Sequence, residues 1–193
     1  MNQLSKLLII AVFTLIASGQ ALAEAVVAGP IEGSKFKDFS GTTMNGVPFK
    51  LSKFVEKGTV AVVMLRGFPG YQCPVCSTQV AGYMAKSEEF EKHNTPVVFI
   101  YPGKVKDLDK RAKEFTSPLE EKVDLPSNFI FVIDNNYKIT NLLDLRWNAK
   151  NETAYPAAFI IDHKGYIQYL KVSDNHHDRA SADEIIEFLE IIH

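Results

Sequence analysis

Apolar and polar residues along this chain form blocks whose spacing predicts strands and helices in turn. Three short runs rich in β-branched and aromatic residues predict strands that are buried on both faces of a sheet: Thr59–Leu65, Val97–Tyr101 and Phe129–Ile133. Between these runs the apolar residues recur at helical spacing. This spacing predicts a helix from Pro74 to about His93 and a shorter amphipathic helix that contains Leu108, Ala112 and Phe115.

Two hairpins are predicted near the ends of this pattern. Asn45-Gly46 lies between Phe39–Thr43 and Val47–Leu51, and an Asn-Gly pair between strand-like runs is a strong turn signal. Ala158–Ile161 and Tyr166–Val172 predict the second hairpin.

The last helix is predicted from its own start signal. Ser181 is followed three residues later by Glu184, which is the spacing of a capping box, and an apolar stripe follows. Strands that alternate with helices and end in a hairpin and a helix predict an α/β fold, a sandwich with a mixed central β-sheet flanked by helices.

The first 23 residues have the pattern of an export signal. Lys6 precedes the apolar run Leu7–Ala17, and Ala21-Leu22-Ala23 supplies small residues for cleavage. The run is shorter than the ~20 residues that span a bilayer. We therefore expect cleavage after Ala23, a single domain over residues 24–193, and an exported protein that is periplasmic or secreted. An uncleaved, tethered form is the alternative.

Charge and cysteine content narrow the function. The formal net charge is −2 and no long run of one sign occurs, so a nucleic-acid partner is not supported. The only two cysteines, Cys73 and Cys76, lie three positions apart. A disulfide between them would close almost no loop and would stabilise the fold little, so a reactive dithiol is the better interpretation.

The position of the dithiol predicts the role of each sulfur. Cys73 falls at the predicted start of a helix with Pro74 in the first helical position. Unpaired backbone N–H groups and the helix dipole lower the pKa of a thiol placed there. We therefore predict that Cys73 is the attacking thiol and that Cys76, one turn into the helix and less accessible, is the resolving thiol.

Two other interpretations of the cysteine pair remain. Both sulfurs would be inert if they pointed into the core. A zinc site would need two further ligands, and the only histidine cluster, His176-His177, lies in a polar loop of the kind that is usually solvated. We expect neither a metal nor another cofactor.

The chain resembles the alkyl hydroperoxide reductase/thiol-specific antioxidant branch of the thioredoxin superfamily. The residues that carry the resemblance are Gly33–Phe39, Asn45-Gly46, Leu51-Ser52, the Cys73-Pro74-Val75-Cys76 motif and Ala154–Gly165. The resemblance implies a thioredoxin-like three-layer sandwich. It also implies a cis bond before Pro156, which would present the backbone of Tyr155 to a partner beside Cys73.

Two enzymatic functions compete. Typical peroxiredoxins, as the resemblance implies, carry a proline and a threonine before the attacking cysteine, where this chain has Arg66 and Gly70, and an arginine where it has Pro156. We therefore rank thiol–disulfide exchange first and hydroperoxide reduction second. Copper carriers of similar fold rank third because their cysteines are spaced more widely. The expected partners are protein or small-molecule thiols and disulfides, and hydroperoxides for the second function.

Two residues before the dithiol complete the predicted site. Arg66 either folds back towards Cys73, where its charge would lower the thiol pKa, or pairs with a carboxylate at the surface end of its strand. Tyr71 is predicted to form the lip of the active-site surface, where it would contact substrate together with Tyr155.

Overall fold

One mixed β-sheet dominates the computed structural model, which describes residues 29–66, 71–120 and 124–192. Within these ranges the strands are β1 Ser40–Thr43, β2 Pro48–Lys50, β3 Val60–Met64, β4 Val97–Gly103, β5 Phe129–Asn135, β6 Ala157–Ile161 and β7 Ile167–Val172. The helices are α1 Ser52–Val55, α2 Pro74–Ala85, α3 Ser87–Lys92, α4 Leu108–Glu120, α5 Lys138–Leu142 and α6 Ala182–Ile192.

The sheet has the strand order β2-β1-β5-β4-β3-β6-β7. Its three central strands, β3, β4 and β5, are parallel, and β1 and β6 flank them antiparallel. Each residue of β3 and β4 is buried, as expected for strands covered on both faces. The carboxyl ends of parallel strands share one edge of a sheet, so the segments that leave β3 and β4 meet there.

Hydrophobic cores cover both faces of the sheet and make the three layers. Successive residues of a strand point to opposite faces. Val63 therefore packs with Tyr83 of α2 and Ile185 of α6 in one core. Val62 packs in the other core, which includes Phe36 and residues of the α1 and α5 layer. The predicted three-layer sandwich with a mixed sheet is confirmed.

Several predicted boundaries differ from the structure. The helix predicted from Pro74 to His93 is two helices, α2 and α3, because the backbone of Lys86 leaves the helical region (φ −112°, ψ 16°). The short helices α1 and α5 were not predicted. The Ser181 hydroxyl accepts a hydrogen bond from the N–H of Glu184, but the Glu184 carboxylate accepts one from Tyr169.

The predicted export signal, residues 1–23, lies outside the described ranges, so export stays a prediction. Residues 67–70 lie outside these ranges as well. Among the helices that the structure does describe, none has the length and apolar character needed to cross a membrane.

Candidate active site

The dithiol lies at the amino terminus of α2, at the edge of the sheet where β3 ends. Cys73 is the N-cap of this helix in an extended conformation (φ −78°, ψ 108°), and Pro74 occupies the first turn. The Cys73 sulfur accepts a hydrogen bond from the backbone N–H of Cys76 at 3.3 Å. The predicted placement of Cys73 at a helix start is confirmed, and its sulfur takes the place of the side-chain oxygen that usually caps a helix.

Both sulfur-bearing residues are covered by the surrounding protein. Cys73 has 2% of its surface exposed and Cys76 has none. Cys76 is the less accessible of the two, as expected, but the surface of Cys73 is almost entirely covered as well. So small an exposed area suits a reactant of a few atoms better than a docked protein chain.

Cys76 is held by the backbone of Arg66, the second residue after β3. The Arg66 N–H donates to the Cys76 sulfur at 3.3 Å, and the Cys76 thiol donates to the Arg66 carbonyl oxygen at 3.2 Å. Burial raises the pKa of Cys76 well above its ordinary value, and the hydrogen bond to Cys73 raises it further. Cys76 is therefore a protonated thiol at neutral pH.

Cys73 has the opposite electrostatic environment. The pKa of Cys73 is lowered to about 5, and the largest cause is the hydrogen bond with the Cys76 side chain, whose one S–H proton is shared with the Arg66 carbonyl. Burial opposes this shift, but the Cys76 backbone N–H, the charge of Arg179 and a hydrogen bond with Arg66 all favour the thiolate. Cys73 is therefore ionised at neutral pH while its neighbour three residues later keeps its proton.

Arg66 makes both of the contacts that the sequence analysis gave as alternatives, one with a carboxylate and one with Cys73. Its Nε and Nη2 atoms donate to the two carboxylate oxygens of Glu152 at 2.5 and 3.0 Å, and Nη2 also donates to the Asn151 carbonyl at 3.1 Å. It therefore pairs with a carboxylate, but it is 6% exposed and does not lie at the surface. Its guanidinium also contributes a hydrogen bond to Cys73, so it does face the reactive sulfur.

Arg179 brings a second guanidinium to the reactive sulfur and was missed from the sequence. Its Nη2 atom lies 4.0 Å from the Cys73 sulfur, while Nη1 donates to Gln79 at 3.2 Å. The residue follows β7 and lies 106 positions after Cys73, in the polar loop that we interpreted as solvated. No spacing or motif signals this contact, because it arises from the packing of α6 beside α2.

The cis bond predicted before Pro156 was wrong, whereas the role of Pro156 in the site stays a prediction. No described peptide bond is cis, so the bond between Tyr155 and Pro156 is trans. The Tyr155 N–H donates to the Leu145 carbonyl at 2.8 Å, and its ring stacks on Trp147 with centroids 4.7 Å apart. Its N–H is therefore already used within the fold, which counts against the predicted presentation of this backbone to a partner.

Tyr71 and Gln72 lead into the dithiol. Tyr71 is 46% exposed, as a residue at the lip of a site should be, and its predicted contact with substrate stays a prediction. Gln72 is anchored at both ends of its amide, since Tyr101 donates to its Oε1 at 2.8 Å and its Nε2 donates to the Arg111 carbonyl at 2.9 Å. This anchoring fixes the residue directly before Cys73.

A metal centre would need several histidine, cysteine, aspartate or glutamate side chains close together. In residues 29–66, 71–120 and 124–192 there is no group of three or more histidine, cysteine, aspartate or glutamate side chains placed to hold a metal ion. The dithiol and the guanidinium groups of Arg66 and Arg179 lie together at the start of α2.

Comparison with known proteins agrees with the resemblance seen in the sequence. A family model described as Redoxin matches residues 31–186. The peroxiredoxin of Methanocaldococcus jannaschii is 24% identical over 163 residues, which cover 84% of this chain and 72% of that protein. Peroxiredoxin 1 of Caldanaerobacter subterraneus subsp. tengcongensis is 24% identical over 160 residues, which cover 83% and 70%.

Solved structures show the same fold. The mitochondrial 2-Cys peroxiredoxin from Plasmodium falciparum superposes with a TM-score of 0.65 at 20% identity, covering 84% of this chain and 94% of that one. The peroxidoxin BcpB from Mycobacterium tuberculosis superposes with a TM-score of 0.67 at 18% identity, covering 84% and 97%. At these identities the superpositions support the architecture alone.

Proposed function

The chain belongs to the Redoxin family, and on that premise we propose that it is a thiol peroxidase that reduces hydroperoxides through Cys73 and Cys76. It is an oxidoreductase of the peroxiredoxin-like branch. From the sequence we ranked disulfide exchange above peroxide reduction. Similarity to proteins described as peroxiredoxins supports the opposite order.

One observation carries the proposal: the Cys73 sulfur has a pKa lowered to about 5 and two guanidinium groups act on it, those of Arg66 and Arg179. Reduction of a peroxide needs a thiolate nucleophile and positive groups that stabilise the negative charge that develops on the departing oxygen. We ranked exchange first because the usual donors were missing from their expected positions. Arg66 and Arg179 supply such donors from other parts of the chain.

The first chemical step is attack of the Cys73 thiolate on one oxygen of the hydroperoxide. An S–O bond forms and the O–O bond breaks, so that the sulfur loses two electrons and becomes a sulfenic acid. The other oxygen leaves as an alkoxide, or as hydroxide from hydrogen peroxide, and takes a proton from solvent. Arg66 and Arg179 stabilise the negative charge during this step.

The second step joins the two cysteines. The Cys76 sulfur attacks the oxidised Cys73 sulfur, an S–S bond forms and the S–OH bond breaks. The departing hydroxide takes the proton that Cys76 carried and leaves as water. Cys76 loses its two hydrogen bonds to Arg66 in this step if its sulfur moves towards Cys73.

The cycle closes by thiol–disulfide exchange with a reductant. Two electrons and two protons come from a dithiol or from two small thiols, and the reductant leaves as a disulfide. The exchange chemistry that we first predicted as the main activity is thus the regenerating half of the proposed cycle. The partner that supplies the electrons is a thiol of protein or small-molecule origin.

Peroxide consumption by the purified chain tests the proposal. With dithiothreitol as reductant, the protein should consume hydrogen peroxide at a rate proportional to protein concentration, and Cys73→Ser should remove that rate. Reduction of a model disulfide without peroxide consumption would restore disulfide exchange as the main function. Stoichiometric copper binding with neither activity would favour the carrier function.

We also propose that the protein is exported, on the pattern of Lys6, Leu7–Ala17 and Ala21-Leu22-Ala23 alone. Expression of the whole chain in a Gram-negative host followed by mass spectrometry of the purified protein tests this. A product that begins at Glu24 and is found in the periplasm supports export. A product that retains Leu7–Ala17 in the cytoplasm would exclude it.

A further inference from the structure

We propose that His176 is a positioning residue that holds Arg179 against the Cys73 sulfur, an inference that rests on the proposed role of Cys73 as the reactive thiol. Arg179 lies at the end of a loop between β7 and α6, here called the 173–180 loop. His176, in the middle of this loop, links the loop to the site in two ways.

The side chain of His176 docks on the segment that pairs with Arg66. Its Nε2 atom lies 3.3 Å from Oε1 of Glu152, the carboxylate that also binds Arg66. Its ring stacks on Trp147 with centroids 5.1 Å apart and an interplanar angle of 30°. Trp147 in turn stacks on Tyr155 at 4.7 Å and 7°, so the imidazole ends a three-ring stack.

The backbone of His176 anchors the arginine. Its carbonyl oxygen accepts a hydrogen bond from Nε of Arg179 at 2.8 Å. With Nε fixed there and Nη1 on Gln79, the Nη2 atom is directed to within 4.0 Å of the Cys73 sulfur. The place of this carbonyl, and hence of the guanidinium, depends on where the His176 side chain is docked.

Other polar contacts hold the two ends of the loop: the Ser173 N–H donates to the Pro156 carbonyl at 2.8 Å, and Gln79 and Tyr83 of α2 donate to the Ala180 carbonyl at 3.0 and 3.3 Å. The middle of the loop is shaped from within. The Asn175 side chain accepts hydrogen bonds from the N–H groups of His177 and Asp178, and the Ser173 hydroxyl bonds the Asp178 carbonyl. These bonds keep the loop folded on itself. His176 is the residue that ties the folded loop to Glu152 and Trp147.

The adjacent histidine offers a matched control. His177 is exposed, and its side chain has no described contact with Glu152 or Trp147. His176→Ala removes both the stack and the contact with Glu152, whereas His177→Ala removes a ring of the same kind one residue away. His176→Phe keeps a ring for Trp147, and His176→Gln keeps a donor for Glu152.

The test is the pH dependence of Cys73 alkylation by iodoacetamide, followed by mass spectrometry in each variant. His176→Ala should raise the pKa of Cys73 by about 1 unit, the size of the effect of losing a nearby opposite charge. His177→Ala should leave the pKa unchanged. His176→Phe and His176→Gln should give intermediate values. Trp147, the single tryptophan of the chain, should change its fluorescence in His176→Ala and keep it in His177→Ala.

A double-mutant cycle separates positioning from a general loss of structure. If His176 acts through Arg179, then His176→Ala should shift the pKa in the wild-type background and add nothing in an Arg179→Ala background. An equal shift in both backgrounds, or no shift in either, would overturn the proposal. Alkylation does not require peroxidase activity, so a wild-type protein that ignores peroxide would overturn the proposed function and leave this test intact.

Discussion

Arg66 and Cys76 are joined by a reciprocal pair of hydrogen bonds: the Arg66 N–H donates to the Cys76 sulfur at 3.3 Å and the Cys76 thiol donates to the Arg66 carbonyl at 3.2 Å. The same residue therefore holds the resolving sulfur with its backbone and acts on the attacking sulfur with its side chain. Both sulfurs are therefore in contact with Arg66, which follows β3. These contacts are consistent with an ionised Cys73 and a protonated Cys76.

Replacing each cysteine in turn tests the assigned roles. Cys73→Ser should abolish peroxide consumption, because the only sulfur with a lowered pKa is removed. Cys76→Ser should still react once with peroxide, because the Cys73 thiolate remains, but it cannot close the internal disulfide. Mass spectrometry after treatment with dimedone should find a sulfenic acid at Cys73 in Cys76→Ser, and a small thiol should trap a mixed disulfide there.

The reverse outcome would exchange the roles. If Cys76 carried the sulfenic acid and Cys73→Ser retained a burst of peroxide consumption, the attacking thiol would be Cys76. Each variant should be compared with Ser77→Ala as a control for a change of one side chain in the same helical turn. The Ser77 hydroxyl donates to the Cys73 carbonyl at 3.3 Å, the Ser77 backbone N–H donates to the same carbonyl at 3.1 Å and is kept in the variant, and the side chain has no part in the proposed cycle.

Glu152→Gln should destabilise the fold strongly. The exposed fractions of the Arg66 and Glu152 side chains are 8% and 11%, and the change to an amide removes the carboxylate charge that balances the buried guanidinium. Such changes cost about 3–5 kcal/mol in the free energy of unfolding. Urea unfolding monitored by circular dichroism measures this loss.

Asp144→Asn provides the matched control for that prediction. Asp144 lies 2.7 Å from Lys37, and 53% of each side chain is exposed. Because exposed pairs contribute about 0–1 kcal/mol, the same carboxylate-to-amide change should be nearly neutral here. Equal losses in the two variants would mean that the Arg66–Glu152 pair is not a buried structural contact.

Arg111→Met should raise the stability of the fold. Arg111 is 8% exposed, its Nε and Nη1 atoms are buried with no hydrogen-bond partner among the described residues, and Nη2 reaches the Lys104 carbonyl at 3.4 Å. A buried charge with so few partners is costly, and an apolar side chain of similar length should improve stability by about 1–2 kcal/mol. Gln72 keeps its anchor, since it bonds the backbone carbonyl of Arg111.

Arg146→Met should change stability in the opposite direction from Arg111→Met. The Arg146 guanidinium donates to the carbonyls of Trp147, Glu152 and Thr153 and lies 4.1 Å from the centre of the Tyr137 ring. Its loss leaves those contacts unmade and should lower the midpoint of thermal unfolding. A fall in the midpoint for Arg111→Met as well would show that Arg111 has partners that offset its burial.

Much of the fold could be predicted from the sequence because it depends on local pattern. The buried strands β3, β4 and β5 are nearly continuous apolar runs, and Asn45-Gly46 marks the turn between β1 and β2. The break at Lys86 was not predictable in this way, because helical spacing continues across it. The helices α1 and α5 are four and five residues long, too short for a periodic signal.

The site was predictable only where it is local in sequence. Cys73, Pro74 and Cys76 fall within one helical turn, so their geometry follows from the start of α2. Arg179 and Glu152 reach the site from positions far along the chain, and neither belongs to a motif. The resemblance to a family predicted a role for Pro156. The second positively charged side chain of the site is instead Arg179, in the loop before α6.

The most direct test of the central claim is the rate at which the reduced protein reacts with hydrogen peroxide, measured by stopped flow as a function of pH. Because only the thiolate attacks and the pKa of Cys73 is lowered to about 5, the rate should rise with pH up to about 5 and be nearly constant from pH 6 to 8. A rate that is negligible at pH 7 and rises only towards pH 9, as for an ordinary thiol, would contradict the account.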